Sequence, residues 1–136
     1  MNTFSILLVE DDSIERLKFQ KVVKNLKGNF AISEAVNGKC ALELLDTQKT
    51  DYHLIISDFN MPIMNGFEFL IEVKSRNEFK NIPFVIMSNT NDLDELKKCF
   101  ELGISGYFKK PYNFNDFSKK VKTVLEYWNN NDIIKA

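Results

Sequence analysis

Four short stretches of this sequence carry side chains suited to one chemistry: Glu10-Asp11-Asp12, Asp58-Phe59-Asn60, Ser88-Asn89-Thr90 and Lys109-Lys110-Pro111. Each directly follows an apolar run. Taken singly, each has an ordinary structural explanation: Asp12 or Ser13 can cap a helix, Ser88 can finish a strand, and Lys110 can be a solvated cation. Their shared placement after four different runs is harder to dismiss, because open α/β sheets bind ligands outside the carboxyl ends of their strands.

Two carboxylates about 4 Å apart repel by roughly 4 kcal/mol at an effective dielectric near 20. A cluster of Glu10, Asp11 and Asp58 therefore calls for a cation or a raised pKa. Carboxylate and carbonyl oxygens with positions left for water and a phosphoryl oxygen suit Mg²⁺, with Mn²⁺ as a substitute, and are too few for a dedicated Ca²⁺ loop. The remaining groups then fit phosphoryl transfer: Asp58 as nucleophile, Ser88 as hydrogen-bond donor and Lys110 neutralising charge on the equatorial oxygens.

Such a site needs a scaffold that brings distant segments to one edge. Apolar runs predict strands at about 5–9, 30–35, 53–57, 84–87 and 105–109. Between them lie stripes of helical period: Phe19, Val22, Val23 and Leu26; Ala41, Leu44 and Leu45; Phe67, Leu70 and Val73; Leu93, Leu96 and Phe100. Phe114, Phe117, Val121, Val124 and Trp128 mark the last helix, with Asn113 as its N-cap. Strand-helix alternation with short links predicts an α/β fold, a (βα)5 three-layer sandwich with right-handed crossovers around a parallel sheet.

The 136 residues predict one domain, and a core of this size needs no disulfide or structural metal. Eighteen Lys+Arg against 19 Asp+Glu give a net charge of −1, and no basic run exceeds two residues, which argues against a direct nucleic-acid partner. The apolar runs of four residues are far short of the roughly 20 needed to span a bilayer, and acids at 10–12 interrupt any signal peptide, so a cytoplasmic location with no membrane insertion is expected. Cys40 and Cys99 form no CxxC pair and are read as reduced thiols. The single histidine, His53, makes a zinc centre improbable and is assigned to a strand entrance rather than to carrying phosphate.

The motifs Ile6-Leu7-Leu8-Val9-Glu10-Asp11-Asp12, Leu54-Ile55-Ile56-Ser57-Asp58-Phe59-Asn60-Met61-Pro62, Pro83-Phe84-Val85-Ile86-Met87-Ser88 and Gly106-Tyr107-Phe108-Lys109-Lys110-Pro111 resemble, in order and spacing, those of the response-regulator receiver domain of two-component signalling. Asn65-Gly66 and Ala35-Val36-Asn37-Gly38 match as well, and the resemblance covers roughly residues 3–126. It implies a flavodoxin-like sheet of order 2-1-3-4-5. It further implies that Asp58 is the phosphoacceptor, that Glu10 and Asp11 hold Mg²⁺ with Asp58 and the backbone carbonyl of Asn60, and that Lys110 contacts the phosphoryl group from a cis Lys-Pro bond. Ser88 and Tyr107 match the switch pair, while Asn60, Asn89 and Thr90 occupy modulating positions. A histidine kinase or phosphotransfer protein is the implied donor.

Residues 1–128 are read as the receiver and 129–136 as a short polar tail, whose Ile133 and Ile134 are either disordered or folded onto a neighbour. With no residues assigned to an output domain, a stand-alone regulator is expected. Its signal would leave through the face of the fourth helix, fifth strand and fifth helix, around Lys97, Lys98, Tyr107, Phe108 and Tyr112, and a homodimer is compatible with this. Val124-Leu125-Glu126-Tyr127-Trp128 resembles the end of regulators paired with phytochrome-type or hybrid kinases, although Trp128 can equally close the core. Other readings fare worse: a haloacid-dehalogenase-type hydrolase wants an acid where Asn60 stands, and an FMN phosphate would be repelled by Glu10-Asp11-Asp12. A phosphorylation-independent docking module with a receiver fold is the alternative, though it would not need Asp58, Ser88 and Lys110 together.

The residue after the switch hydroxyl is usually small in this family, and here it is Asn89. Asn89 is expected to slow loss of phosphate or to narrow the choice of donors. Asn89→Ala should then shorten the aspartyl-phosphate lifetime, followed by phosphate release, and an unchanged lifetime would refute this role.

Overall fold

The computed structural model describes residues 3–48 and 50–132; the expectation for Ile133 and Ile134 lies outside them. Strands β1 (Phe4–Val9), β2 (Phe30–Ala35), β3 (Leu54–Ser57), β4 (Phe84–Ser88) and β5 (Gly106–Lys109) alternate with helices α1 (Ser13–Lys24), α2 (Gly38–Thr47), α3 (Gly66–Lys74), α4 (Leu93–Glu101) and α5 (Phe114–Asn129). The strands pair in parallel in the order β2-β1-β3-β4-β5, as expected. The central strands β3 and β4 are buried along their whole length, whereas the edge strands β2 and β5 are only partly covered, the pattern of a parallel sheet with helices on both faces.

Alternation within the strands divides the core in two. Leu7, Val9, Ile55, Phe84 and Ile86 pack with Ala41, Leu45, Phe69, Leu70, Val73 and Cys99 of α2, α3 and α4. Phe4, Ile6, Leu8, Leu54, Ile56 and Val85 pack with Phe19, Val22 and Val23 of α1 and Phe117, Val121, Val124 and Leu125 of α5. Burying each of the Val, Leu, Ile and Phe side chains among them contributes about 1.5–3 kcal/mol. Trp128 lies partly buried against the second cluster, so it does close the core beneath α5.

Three stripes are shifted from the expected ones; in α2, Leu42 joins Ala41 and Leu45 inside while Leu44 is only partly buried. In α4 the buried residues are Leu96 and Cys99, while Leu93 and Phe100 are exposed. This nine-residue helix meets the sheet through little more than one turn, and the i, i+3 pair alone fits that contact. In α3, Phe69 joins Leu70 and Val73 inside, and Phe67 is only partly buried. Phe108 also departs from its expected place: it packs towards the α1/α5 cluster, because the pleat sends it to the sheet face opposite Tyr107.

Every helix starts on an Asp or Asn whose side chain accepts a backbone N–H of the first turn: Asp12, Asn37, Asn65, Asp92 and Asn113. Such caps satisfy donors that have no partner inside the helix. At Asn65 the cap is reciprocal, with Glu68 accepting from the Asn65 N–H at 3.0 Å. The next residue, Gly66, lets α3 begin hard against β3: a Cβ there would strike the Asp58 carbonyl oxygen and lie 2.9 Å from Phe59 Cα.

These neighbours should separate cleanly in experiment. Asn65→Ala is expected to cost about 1 kcal/mol in urea unfolding and to leave the carboxylate cluster intact. Gly66→Ala is expected to lower stability and, by pushing back the chain that carries Asp58, to weaken Mg²⁺ binding measured by titration calorimetry as well.

Candidate functional site

The sheet itself sets the site. Its hydrogen bonding continues one residue past the strands: Glu10 N–H donates to Ala35 O at 2.9 Å, Asp58 N–H to Val9 O at 2.9 Å, and Lys110 N–H to Ser88 O at 3.1 Å. Glu10, Asp58 and Lys110 are thus each the first residue past their ladders, delivered to the same edge by parallel register.

Glu10 is almost fully buried, with its Oε2 accepting from the Asp12 N–H at 3.2 Å and its carbonyl accepting from the Arg16 guanidinium at 2.8 Å. Asp58 Oδ1 accepts from the Phe59 N–H at 2.6 Å, which turns Oδ2 towards Lys110 at 3.5 Å. The Lys110 ammonium also donates to Glu10 Oε1 in a close ion pair. Glu10, Asp11 and Asp58 each offer an oxygen within 4.8 Å of the others. Asp12, by contrast, caps α1 by accepting from the Ile14 N–H at 2.8 Å, so the acidic triplet divides into two groups facing the cluster and one serving the helix. The neighbouring lysines divide likewise. Lys109 points out towards Asn91, and Lys110 points in.

Electrostatics follow from this crowding. Burial above all, and then the charge of Asp58, raise the Glu10 carboxyl to about 7 against the opposing pull of Lys110. Burial works against the charge on Lys110, yet Asp58 and then Glu10 outweigh it and hold the ammonium above the ordinary lysine range. With Glu10 ionised, three carboxylates and one ammonium leave two negative charges, which a divalent cation would balance, and the all-oxygen donor set is the type such hard cations take.

Ser88 ends β4, buried, and its Oγ accepts from the Thr90 N–H at 3.4 Å. Tyr107 O–H lies 3.4 Å from Ser88 O and 3.2 Å from Thr90 O, so the phenol donates into the β4–α4 turn. Asn60 lies exposed two residues past Asp58, and Asn89 is exposed beside Ser88. The expected cis Lys110–Pro111 bond is not found: among the described residues no peptide bond is cis, in line with the intrinsic trans preference of about 0.5–1 kcal/mol for a bond to proline. His53 sits at the entrance of β3 on the opposite edge, its Nδ1 accepting from the Ser5 N–H at 2.9 Å and its ring stacked on Phe4. Cys40 and Cys99 are free thiols, and burial pushes Cys99 up to about 11.

Two features escaped the sequence reading. Glu15 lines the same small cavity as Glu10, Asp58 and Lys110; its only sequence signal was its place one turn after the acidic triplet. Ile63, in the β3–α3 loop, has φ 70°, a left-handed conformation unusual for a β-branched residue, and the Asn-Gly that follows gave no sign of it.

The sequence pattern of the response regulator receiver domain matches residues 6–122 of this chain. The chain belongs to that family. A curated relative from rice, the two-component response regulator ORR5, is 34% identical over 120 residues, covering 88% of this chain and 87% of its own. Among solved structures, the receiver superposes on the phosphorylated cyanobacterial phytochrome response regulator RcpA with a TM-score of 0.90 at 26% identity, covering 95% of this chain and 96% of that one. The Mn²⁺-bound form of response regulator Rcp1 gives 0.89 at 28% identity, covering 98% and 99%. Receivers are signalling modules that undergo autophosphorylation and dephosphorylation, not conventional enzymes. Divalent-metal binding in this receiver has the support of its own acidic cluster and of the Mn²⁺-bound relative. No helix among the described residues is long and apolar enough to cross a membrane.

Because Glu10 titrates near 7 in the metal-free protein, a proton and a divalent cation compete for it. Mg²⁺ affinity should fall by about tenfold per pH unit below that value and level off above it. The raised pKa also adds stability to the metal-free fold that is complete below 4.5 and lost as pH rises through about 7, so the gain in melting temperature on adding Mg²⁺ should be larger on the alkaline side. Calorimetric titration and thermal melts on either side of neutrality check both, and pH-independent affinity would contradict the Glu10 assignment.

Proposed function

We propose that this receiver accepts a phosphoryl group on Asp58 from the phosphohistidine of a sensor kinase or phosphotransfer protein in a Mg²⁺-dependent reaction, and that the modification switches a protein-binding face. The observation that carries this reading is the convergence of Glu10, Asp11, Asp58 and Lys110 on one sheet edge, with Asp58 Oδ2 turned towards the Lys110 ammonium.

In the step, Asp58 Oδ2 forms a bond to phosphorus as the bond from phosphorus to the donor imidazole breaks, and the electron pair leaves with the ring nitrogen. Glu10, Asp11, Asp58 and the carbonyl of Asn60 would hold Mg²⁺, or Mn²⁺, which supplies charge neutralisation to the phosphoryl oxygens when bound. Lys110 stands ready for an equatorial oxygen. The Ser88 hydroxyl, held only by a long contact from the Thr90 N–H, is available to donate to another. Asn60, Asn89 and Thr90 are assigned to tuning the lifetime of the aspartyl phosphate.

Tyr107 supplies a route outward. Its phenol bonds the carbonyls of Ser88 and Thr90, so a movement of Ser88 towards a phosphoryl group would shift the turn that the ring rests on. The face of α4, β5 and α5, with exposed Lys97, Lys98 and Tyr112, is the proposed output surface, and Phe108 is left out of it by its inward packing. The receiver unit proposed is 1–128, with 129–136 as a tail.

Incubation with Mg²⁺ and a small-molecule phosphodonor should give an acid-stable, base-labile adduct detectable by intact mass, absent from Asp58→Asn and from chelator-treated protein. An adduct retained on the aspartate-free variant, or none on the wild type, would overturn the reading. Lys110→Ala should slow the reaction by about 10²-fold or more while leaving the metal-free fold cooperative in thermal melts.

A further inference from the structure

Behind the paired Lys110 lies a cavity of about 20 Å³ walled by Glu10, Glu15, Asp58 and Lys110 together with apolar Phe19 and Phe117. Glu15 belongs to the first turn of α1. Its Oε1 is held by the Lys18 ammonium at 3.2 Å, and that ammonium rests 4.8 Å from the centre of the Phe117 ring. The clamp leaves Oε2 on the buried side, and it is the buried side-chain oxygen that, among the described residues, has no hydrogen-bond partner. A carboxylate oxygen held out of water without a donor is unfavourable, and Lys110 lines the same cavity, its charged form already favoured by Glu15 from a distance.

Lys110 has its own difficulty. Its ammonium is paired with Glu10 and lies 3.5 Å from Asp58, the same carboxylates that a divalent cation would use. Two positive charges cannot keep one set of oxygens at full strength, so as Glu10 turns to a cation the lysine must lose a partner. We propose that Glu15 is the second counter-ion of Lys110, a positioning residue that takes up the ammonium when Glu10 is committed to a divalent cation and so holds it beside Asp58.

The pieces fit in size and charge. The lysine stem is flexible at its four-carbon chain, and a cavity of this volume passes the roughly 10–15 Å³ needed for one water, so Nζ and Oε2 can meet directly or through a single bridging molecule. Lys18 already balances the other oxygen of Glu15, so the fold keeps this acid in place before any cation arrives.

The inference rests on the metal-site reading, and a double-mutant cycle on Mg²⁺ affinity by titration calorimetry separates the two. Glu15→Gln should weaken Mg²⁺ binding by about fivefold, the upper end for a partly exposed ion pair, because Lys110 then has nowhere else to go. Glu15→Asp should restore part of the loss. In a Lys110→Met background, Glu15→Gln should have no further effect. Equal losses in both backgrounds would show a through-space charge effect alone, and unchanged affinity in Glu15→Gln would show no role; either overturns the proposal. A wild type that binds no Mg²⁺ would instead overturn the metal-site reading beneath it. Should Lys110→Met fail to fold, the ¹⁵N signal of the Lys110 ammonium decides. On adding Mg²⁺ it should stay slow in solvent exchange in the wild type and broaden in Glu15→Gln, and the same behaviour in both would refute the coupling.

Discussion

The mutual repulsion of buried carboxylates at one edge of the sheet is the constraint around which this receiver is organised. Glu10 and Asp58 are brought side by side by the pairing of β1 with β3, and no apolar neighbour can relieve their charge. Lys110 bridges the two, and burial with Asp58 still holds the Glu10 carboxyl near 7. The metal-free site is therefore left short of positive charge, which is the electrostatic state that favours a divalent cation and, on the phosphoacceptor reading, an incoming phosphoryl group accompanied by one.

Holding such a cluster together costs stability that the rest of the fold has to supply. It comes from two apolar layers on either side of β1, β3 and β4 and from helices that each begin on an Asp or Asn cap. The same elements also provide precision. Parallel register presents Glu10, Asp58 and Lys110 one residue past their ladders, and the bare Cα of Gly66 lets α3 press on the backbone of Asp58. Packing and chemistry are thus linked through the main chain.

Much of this was readable beforehand. Short β-rich apolar runs alternating with helical stripes have few arrangements other than a parallel sheet between helices, so the fold class followed from the pattern, whereas the sheet order followed from the resemblance of the ordered motifs to the receiver family. Less readable was which of several like residues faces inward. Helical period alone assigned Leu93 and Phe100 to a face that α4 does not bury. Phe108 was grouped with Tyr107 although adjacent strand residues point to opposite faces.

The sequence by itself determined the inventory: three acids, a hydroxyl and a lysine at the ends of apolar runs, a tyrosine within the last of those runs, and candidate caps for the first and last helices. Those are properties of neighbouring residues, and local rules suffice to find them. Only the tertiary structure decided that Lys110 spans both Glu10 and Asp58, that Phe108 turns to the face opposite Tyr107, and that Glu15 shares the cluster's cavity with an unpaired oxygen. Those outcomes depend on distances between segments up to 100 positions apart, and chain order holds no record of such distances until the sheet is assembled.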